Sequence, residues 1–341
     1  FITGAGGEVG HGLITALSDE SSPDIVATDL RDLEQGLREL CAATYLADVC
    51  DRDALDRLLA MYQVKEIYHL AAVLSTRAEL APEVAHQVNV NGTVNILQIA
   101  AEQGRMYGEP VKVVFPSSIA AYGFGSLQEK TAVGAVTEYE HCKPSTMYGC
   151  NKLYCEHLGR YYAHSYRQLA KDSVQGDDKN RGVVDFRCVR YPGLISAETV
   201  PTGGTSDFVP EMLHAAARGD AYTCFVREDS RIPFMTMPEA IDATLQLAAA
   251  PRKELTQIVY NIASFNPSAG EVAELVKQYF PDASITFEPD ERRQAIVDSW
   301  PEDLDCSAAH NDWGFTPKYT VEQAFDEYLV PRITKQYESK Q

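Results

Sequence analysis

The sequence predicts an α/β fold in which a doubly wound parallel sheet is followed by a smaller α/β lobe. In the first half, short β-branched apolar segments alternate with stretches of helical periodicity. Such alternation predicts parallel strands that are joined by right-handed helical crossovers. A glycine-rich turn at the beginning links the first strand to the first helix, as in many doubly wound sheets. After residue 194, glycine and proline become more frequent and the predicted elements become shorter.

The elements of the first half follow from apolar periodicity and from the turn residues that flank them. Phe1–Thr3 reads as the end of a strand, and we expect a few residues to precede it, because strands usually have about five or six residues. Further strands are expected at 24–29, just before Asp48, and at 66–72, 111–118 and 183–193. Helices are expected at 8–18, 51–61, 82–104 and 146–170, with Asp51 as an N-cap and Gly104 as a C-cap.

The second half has a weaker pattern, and its elements alternate at shorter intervals. Helices are expected at 207–218, 238–249, 269–279 and 321–329, and strands at 221–226, 257–262 and 283–287. The polar segment 167–182 is predicted to be a surface insertion. We expect a first domain at 1–192, with a return of the chain around 232–263, and a second lobe that consists mainly of 193–341.

Composition argues against several classes of partner. A net charge of −19 disfavours binding to nucleic acid and to anionic membranes. The eight cysteines form no CxxC pair, which favours reduced thiols and argues against a structural metal site. The sequence contains no run of eighteen or more apolar residues, so it predicts no membrane-spanning helix. We expect a cytoplasmic location, or the mitochondrial matrix if the source is a eukaryote.

The turn "TGAGGEVGHG" carries the first functional signal. It places Gly4, Gly7 and Gly10 at three-residue intervals between a strand and a helix. Glycine lets the backbone turn tightly and approach a pyrophosphate, while the helix start at Glu8 and Val9 offers free N–H groups and a positive dipole end. The pattern alone also fits a turn that binds nothing.

Two acidic residues extend this signal to the adenosine half of a dinucleotide. Asp29 ends a predicted strand nineteen residues after Gly10, where a carboxylate can accept hydrogen bonds from both ribose hydroxyls. A carboxylate there, with Leu30 beside it, favours NAD over NADP, although Arg31 could soften this preference. A helix-capping role for Asp29 is the alternative. Asp48 and Val49 are expected at the edge of the adenine.

The end of the fourth strand is predicted to form the floor of the same site. "HLAA" closes that strand with Leu70 and two small residues, Ala71 and Ala72. Small side chains there would let the cofactor's backbone pass. For each alanine alone, simple packing is an equally good interpretation.

A serine, a tyrosine and a lysine carry the predicted chemistry. Tyr148 and Lys152 are one helical turn apart, so the ammonium group can lower the pKa of the phenol toward a range useful for proton transfer. Ser118 ends the fifth strand, at the sheet edge where doubly wound folds bind ligands. Ser117 competes with Ser118, because adjacent strand residues face opposite ways. We choose Ser118, which lies nearer the mouth of the strand.

Together these residues resemble the extended short-chain dehydrogenase/reductase family, which includes sugar-nucleotide epimerases and dehydratases. The resemblance covers nearly the whole chain and implies a Rossmann-type sheet, bound NAD and catalysis by Ser118, Tyr148 and Lys152. It also implies that Tyr148 and Lys152 contact NAD, and that Pro192, Gly193 and Leu194 pass beside the nicotinamide. A homodimer, formed through the helices near 82–104 and 146–166 as a four-helix bundle, is a further implication.

Five stretches are similar to a branch of this family that oxidises L-threonine at its β-carbon with NAD. They are "VLSTRAE" (73–79), "VRYPGLIS" (189–196), "GGTSDF" (203–208), "YTCFVREDSRIPFMTMPEAIDAT" (222–244) and "DSWP" (298–301). The implied product is 2-amino-3-ketobutyrate, which decarboxylates to aminoacetone or is cleaved to glycine and acetyl-CoA. The implied substrate residues are Ser75, Thr76, Ser118, Tyr148, Gly203, Gly204 and Thr205.

Three points stay open at the level of sequence. Trp300 fits either a substrate contact or core packing. A UDP-sugar 4-epimerase or dehydratase would use the same three catalytic residues with a larger pocket. A non-enzymatic NAD-binding scaffold is a weaker alternative, since such proteins usually lose the tyrosine or the lysine.

Overall fold

The computed structural model describes residues 1–19, 24–169, 182–201 and 203–338. The chain divides into two compact units, each made of several segments. The first unit contains Phe1–Ser117, Cys150–Arg190 and Ile241–Tyr260. The second unit contains Ser118–Gly149, Tyr191–Ala240 and Asn261–Gln341. We describe each unit by itself.

The strands are short, as expected for an α/β protein. In chain order they are β1 (Ile2–Thr3), β2 (Val26–Asp29), β3 (Ala43–Leu46), β4 (Glu66–His69), β5 (Val111–Ser118), β6 (Ala135–Val136), β7 (Val184–Tyr191), β8 (Gly193–Ile195), β9 (Tyr222–Cys224), β10 (Phe234–Thr236), β11 (Val259–Asn261), β12 (Ile285–Phe287) and β13 (Asp303–Leu304).

The helices vary more in length. They are α1 (Glu8–Asp19), α2 (Gln35–Glu39), α3 (Arg52–Leu59), α4 (Ser75–Leu80), α5 (Pro82–His86), α6 (Gly92–Tyr107), α7 (Leu127–Val133), α8 (Met147–His164), α9 (Phe208–Arg218), α10 (Met237–Ala249), α11 (Ala269–Tyr279), α12 (Glu291–Ser299), α13 (Ser307–Trp313), α14 (Val321–Ala324) and α15 (Val330–Glu338). Wider π-helical turns at Gln87–Asn91 and Phe325–Leu329 join α5 to α6 and α14 to α15.

The first unit is built on a seven-stranded parallel sheet in the order β11-β7-β5-β4-β1-β2-β3. The strand β1 lies between β2 and β4, with Thr3 opposite Thr28 on one side and His69 on the other. The chain therefore winds outward from β1 in both directions, which confirms the predicted doubly wound fold. The switch at β1 is where such sheets bind ligands.

Strand β7 carries two buried arginines, and each of them is paired with a carboxylate. Every residue of β7 is buried, including two arginines. Arg190 forms a two-point ion pair with Glu156 of α8, with N–O distances of 2.8 and 2.6 Å. Arg187 bonds Asp185 and donates to the carbonyls of 247, 248 and 250 at the end of α10. Buried charges are retained because each has its partner.

The second unit combines pairs of parallel strands with helices around an aromatic core. Its strand pairs are β10 with β8, β12 with β9 and β13 with β6. Tyr122, Phe208, Phe234 and Phe325 are fully buried in its core. Buried Glu239, which opens α10, accepts hydrogen bonds from Thr236, Ser264, Lys318 and Tyr319. This carboxylate thus accepts three backbone N–H groups, those of Thr236, Lys318 and Tyr319.

Several predicted boundaries differ from the structure. The third long helix does not end at Gly104: α6 continues to Tyr107, and Gly108 takes the left-handed cap conformation with φ 75°. Gly104 instead permits close packing, since a Cβ there would lie 2.2 Å from the oxygen of Val183. Asp51 caps α3 through the N–H of Ala54, as expected. Most of the predicted insertion, residues 170–181, lies outside the described residues.

Candidate active site

The glycine turn has the geometry that a dinucleotide requires. Gly4 directly follows β1 with φ 67°, and a Cβ there would lie 2.6 Å from the backbone nitrogen of Ala71. A Cβ on Gly10 would lie 2.5 Å from the oxygen of Ala5, so α1 packs tightly on the turn. Gly7 is exposed, and its N–H donates to the oxygen of Gly4. Beyond it, Glu8 and Val9 begin α1, where the first N–H groups of a helix have no intrahelical partner.

Asp29 is fixed beside this turn rather than at a helix cap. Its carboxylate accepts the N–H of Gly6 at 3.0 Å and that of Arg31 at 3.2 Å. The side chain stays half-exposed, so each oxygen keeps a lone pair for a ribose hydroxyl. Leu30 is 68% exposed next to it, an apolar surface suited to a flat base. This donor and acceptor set fits an adenosine without a 2′-phosphate.

Asp48 and Val49 follow β3 in different environments. Asp48 is exposed and accepts the N–H of Cys50 at 2.9 Å. Val49 is buried, and its Cγ2 would lie 2.8 Å from a Cβ on Gly92. Of the two, Asp48 has the exposed side chain that an adenine amino group could reach.

The end of β4 lies against β1 and continues toward α4. The N–H of Leu70 donates to the oxygen of Thr3, and that of Ala71 to the Thr3 hydroxyl at 3.4 Å. Ala72 continues this segment, and all three residues from 70 to 72 are partly exposed. Ser75 and Thr76 then form the first turn of α4. The predicted cofactor floor and two predicted substrate residues thus belong to one short segment.

The segments that carry Ser118 and Tyr148 pack together within the second unit. Thr146 begins α8 by accepting the N–H of Gly149 at 3.1 Å. A Cβ on Gly149 would lie 1.9 Å from the oxygen of Ala120, so the start of α8 packs directly on the turn after β5. Ser118 begins that turn and accepts the N–H of Ala120 at 3.1 Å. Glycine next to Tyr148 is therefore a steric requirement of the site.

The hydroxyls of Ser117 and Ser118 differ in burial and in their partners. Ser117 is 2% exposed, and its hydroxyl donates to Glu156 at 2.5 Å. That hydroxyl thereby completes the buried network of Glu156 and Arg190. Ser118 faces the opposite way and remains partly exposed.

Lys152 is held against β5 one turn along α8 from Tyr148. Its side chain is 5% exposed, and Nζ donates to the oxygen of Pro116 at 2.6 Å. Nζ also lies over the ring of Phe115, 4.5 Å from the centroid. Burial lowers the pKa of Lys152 to about 8. The ammonium group is thus anchored two residues before Ser118.

The expected lowering of the Tyr148 pKa is not what this structure shows. Burial raises the pKa of the Tyr148 phenol above its usual range. Removing a phenolate from water disfavours the charged form, and in the protein alone this effect dominates. In this structure Lys152 therefore does not offset the effect of burial on the pKa of Tyr148.

The remaining predicted residues lie in the second unit. Leu194 pairs with Met235 between β8 and β10, and Pro192 directly precedes β8. Gly203 has φ 88°, the N–H of Gly204 donates to Asp207 at 2.6 Å, and Thr205 is buried. The N–H of Gly204 is thus already satisfied by Asp207. Trp300 is 4% exposed in the aromatic core, which agrees with core packing.

Several buried, hydrogen-bonded polar residues that lie next to the predicted site residues were not identified from the sequence. Glu156 follows Lys152 by one turn of α8, and Arg190 lies in a strand that otherwise reads as apolar. His69 and Asn89 are also buried and hydrogen-bonded in the first unit. A charged residue inside a buried-strand pattern was the signal that could have found Arg190. Its partner could not be identified from spacing.

Comparison with known proteins identifies the family. Residues 1–263 match the model of the NAD dependent epimerase/dehydratase family, and the chain belongs to that family. Its cofactor is therefore NAD, and it is an enzyme of the NAD-dependent oxidoreductase type. The residues described above fit that cofactor: the turn at Gly4, Gly7 and Gly10 would hold the pyrophosphate, and the Asp29 carboxylate would accept from the ribose hydroxyls.

Individual relatives sharpen this result. The chain is 31% identical over 316 residues to mitochondrial L-threonine 3-dehydrogenase of Bos taurus, covering 92% of this chain and 77% of that protein. It resembles the GalE-like L-threonine dehydrogenase of Cupriavidus necator with a TM-score of 0.83, 32% identity and 98% of both chains covered. A monomeric L-threonine 3-dehydrogenase from a metagenome matches with a TM-score of 0.84, 32% identity and 98% of both chains covered.

Three further observations bear on the expected partners. Across the described part of the chain, no helix is both long enough and apolar enough to cross a membrane. Within the same residues, no cluster of three or more histidine, cysteine, aspartate or glutamate side chains could hold a metal ion. None of the eight cysteines, all of which lie in the described residues, forms a disulfide; four are partly buried, three are buried and one is exposed.

Proposed function

We propose that this enzyme oxidises L-threonine at the β-carbon with NAD, forming 2-amino-3-ketobutyrate. The observation that carries the proposal is the likeness to threonine dehydrogenases over almost the full length of the chain. That likeness extends beyond the cofactor-binding sheet into the second unit, where substrate specificity is expected. The product is a β-keto acid, which would lose carbon dioxide to give aminoacetone or be cleaved to glycine by a partner enzyme.

Each predicted catalytic residue has a distinct role in this proposal. Ser118 holds the threonine hydroxyl by a hydrogen bond, and the Tyr148 phenolate takes the hydroxyl proton. Bound NAD supplies the hydride acceptor and a positive charge. The C–O bond becomes a carbonyl as the β-hydrogen leaves with its electron pair. Lys152 adds a fixed positive charge one turn from the phenol and so favours the phenolate.

The substrate is a small zwitterion, so its site needs donors for a carboxylate and acceptors for an ammonium. Ser75, Thr76, Gly203, Gly204 and Thr205 are the proposed contacts. Gly204 would contribute through close approach of its backbone, since its N–H already donates to Asp207. Ser75 and Thr76 begin α4, where hydroxyls and N–H groups are close together. Gly203 to Thr205 lie in the tight turn before α9, where glycine lets the main chain approach a small ligand.

Steady-state kinetics test the proposal. We expect NADH formation with NAD and L-threonine, weaker turnover of L-serine, and none with UDP-galactose or UDP-glucose. Tyr148→Phe should lower kcat/KM by about 10²–10⁴-fold, the usual contribution of a general base. Tyr154→Phe, on the exposed face of α8, is the matched control and should change little. Activity on UDP-sugars without activity on L-threonine would instead indicate an epimerase or dehydratase.

We also propose a homodimer that buries the outer faces of helices α5, α6 and α8. Apolar side chains are exposed there and on neighbouring α4: Leu80 is 83%, Val84 50%, Tyr154 51% and Tyr161 41% exposed. Tyr154 and Tyr161 are seven residues apart and share one face of α8. A second copy of the chain would cover this patch as a four-helix bundle.

Sedimentation velocity tests the dimer. The wild type should sediment as a dimer, and the double variant Tyr154→Glu/Tyr161→Glu as a monomer. Tyr139→Glu, which changes an exposed tyrosine of the second unit, should leave the dimer intact. A monomeric wild type at micromolar concentration would refute the dimer and leave the proposed reaction untouched.

A further inference from the structure

A continuous chain of buried hydrogen bonds runs beneath the end of β4 in the first unit. Thr3 Oγ1 lies 2.7 Å from His69 Nδ1, and His69 Nε2 lies 3.0 Å from Thr93 Oγ1. Thr93 Oγ1 in turn donates to the oxygen of Asn89 at 2.6 Å. All four residues are at least nine-tenths buried. None of them carries a role in the proposed reaction.

The donors and acceptors of this chain can be assigned by counting hydrogens. The Thr93 hydroxyl has one hydrogen, which it donates to Asn89, so its oxygen must accept from His69 Nε2. Nε2 of His69 therefore carries the proton. A neutral imidazole then has a bare Nδ1, which accepts the Thr3 hydroxyl. The Thr3 oxygen in turn accepts the N–H of Ala71.

The electrostatic environment keeps this imidazole uncharged. Burial lowers the pKa of His69 to about 3, and the positive charge of Lys152 acts in the same direction. A charged imidazole would also donate from both nitrogens, which would force the Thr3 hydroxyl to turn away. Geometry and electrostatics thus select the same single form.

At Asn89, the last residue in this series of hydrogen bonds, the side chain holds the backbone segment that leads to Ser75. Asn89 lies in the π-helical turn between α5 and α6, a distortion that often marks functional sites. Its side-chain amide forms two hydrogen bonds with the backbone of Val73, accepting from the nitrogen at 2.7 Å and donating to the oxygen at 3.0 Å. Its amide also lies 3.3 Å from Oδ1 of Asn151, the neighbour of Lys152 on α8.

We propose that His69 is a positioning residue, which links the cofactor floor at Ala71 to the Asn89 turn and thereby fixes the Val73–Thr76 segment for the substrate. It contacts neither substrate nor cofactor and moves no proton. Its action depends on one neutral tautomer, because only that form accepts from Thr3 and donates to Thr93 together. The substrate part of this inference rests on the proposed function, whereas the tautomer and the link to Ala71 do not.

Nitrogen-15 NMR of histidine-labelled protein tests the tautomer directly. The His69 signals, assigned by their loss in His69→Gln, should show a protonated Nε2 and a bare Nδ1. They should not move between about pH 5 and about pH 9, whereas an exposed histidine titrates near its ordinary pKa. A protonated Nδ1, or titration near pH 6.5, would overturn the assignment. This measurement needs no substrate and stands even if threonine is not oxidised.

Kinetics of three variants test the positioning role. His69→Phe should raise the KM for L-threonine and the Kd for NAD by about tenfold, because a misplaced site loses productive contacts. His69→Gln keeps a donor and an acceptor and should recover part of both losses. His86→Gln changes an exposed histidine of α5 and serves as the matched control. Melting curves identify variants that simply fail to fold.

The outcomes separate the two roles. A raised NAD Kd in folded His69→Phe, with partial rescue by His69→Gln, supports positioning whatever the substrate is. Unchanged KM and Kd in folded His69→Phe, with only a lower melting temperature, would show that His69 is structural and overturn the proposal. Absence of threonine oxidation by the wild type, together with the expected NAD effect, would refute the proposed function alone.

Discussion

The two units each bury a lysine, and the two lysines invite comparison. Lys152 in the first unit donates to the oxygen of Pro116, and Lys130 in the second donates to the oxygens of Arg231 and Val297. Burial lowers the pKa of each to about 8. Only Lys152 lies one turn from a buried phenol on the same helix. A perturbed pKa therefore does not identify a catalytic lysine, and its neighbours decide its role.

The largest expected effect separates the two lysines by activity. Lys152→Met should lower kcat by about 10²–10⁴-fold, because the Tyr148 phenolate loses the charge that favours it. Lys130→Met should keep kcat within about threefold, since α7 would remain packed by its apolar neighbours. Both are measured by NADH formation with L-threonine. Equal losses in two folded variants would remove the distinction drawn here.

The next effect compares a buried ion pair of the first unit with an exposed one of the second. Glu156→Gln should lower the free energy of unfolding by about 3–5 kcal/mol, because the Arg190 charge stays buried without its partner. Glu198→Gln removes the partner of Arg332 on the surface and should change the free energy of unfolding by about 0–1 kcal/mol. Chemical denaturation measures both values. A large loss of unfolding free energy in Glu198→Gln would mean that solvent exposure does not predict how much an ion pair stabilises this protein.

The pH dependence of stability should reveal both lysines. Below about pH 8 each is charged in the folded and the unfolded chain, so folding bears the cost of a buried charge. As pH rises from about 8 to 10.5, the folded protein releases these protons first, and stability should rise. Relative to a methionine variant, the gain should approach about 3 kcal/mol per lysine.

This prediction is best measured as a difference between wild type and variant. Burial raises the pKa of buried thiols such as Cys188, and those groups make stability fall as pH rises. Subtracting the Lys130→Met profile from the wild-type profile cancels this contribution, whereas the Lys152→Met difference also includes the change in the pKa of Cys188, which Lys152 lowers. A flat difference between pH 7 and pH 10 would show that the lysine pKa is not lowered.

The smallest expected effect concerns the turn before α9 in the second unit. Arg293 donates to the oxygen of Gly204 at 2.7 Å and stacks on the ring of Phe225. Arg293→Lys should raise the KM for L-threonine by about fivefold and leave kcat nearly unchanged, because lysine loses the planar stacking. The adjacent Arg292→Lys, on an exposed side chain, should have no effect. Equal KM values for the two variants would exclude a role for Arg293.

Local patterns accounted for most of the first unit and less of the second. The strands β2, β5 and β7 and the helices α1 and α3 were predicted within a few residues, because their periodicity is strong. The start of α8 was also predicted within one residue, but this helix ends at His164, six residues before the predicted end at 170. The short helices α2, α7, α12 and α13 were missed, since five to nine residues give little periodic signal. Ser118, Tyr148 and Lys152 could be proposed because their chemistry depends on spacing along one helix and one strand end.

The sequence by itself determined the doubly wound sheet, the glycine turn and the position of Asp29 at a strand end, because apolar periodicity and turn residues encode where each strand and helix begins and ends. Only the tertiary structure decided that Ser117 is engaged by Glu156, that Gly104 is a packing position and that burial raises the pKa of Tyr148. These properties depend on partners 39 or more residues away in the chain or on exclusion of water. Local periodicity carries no information about either.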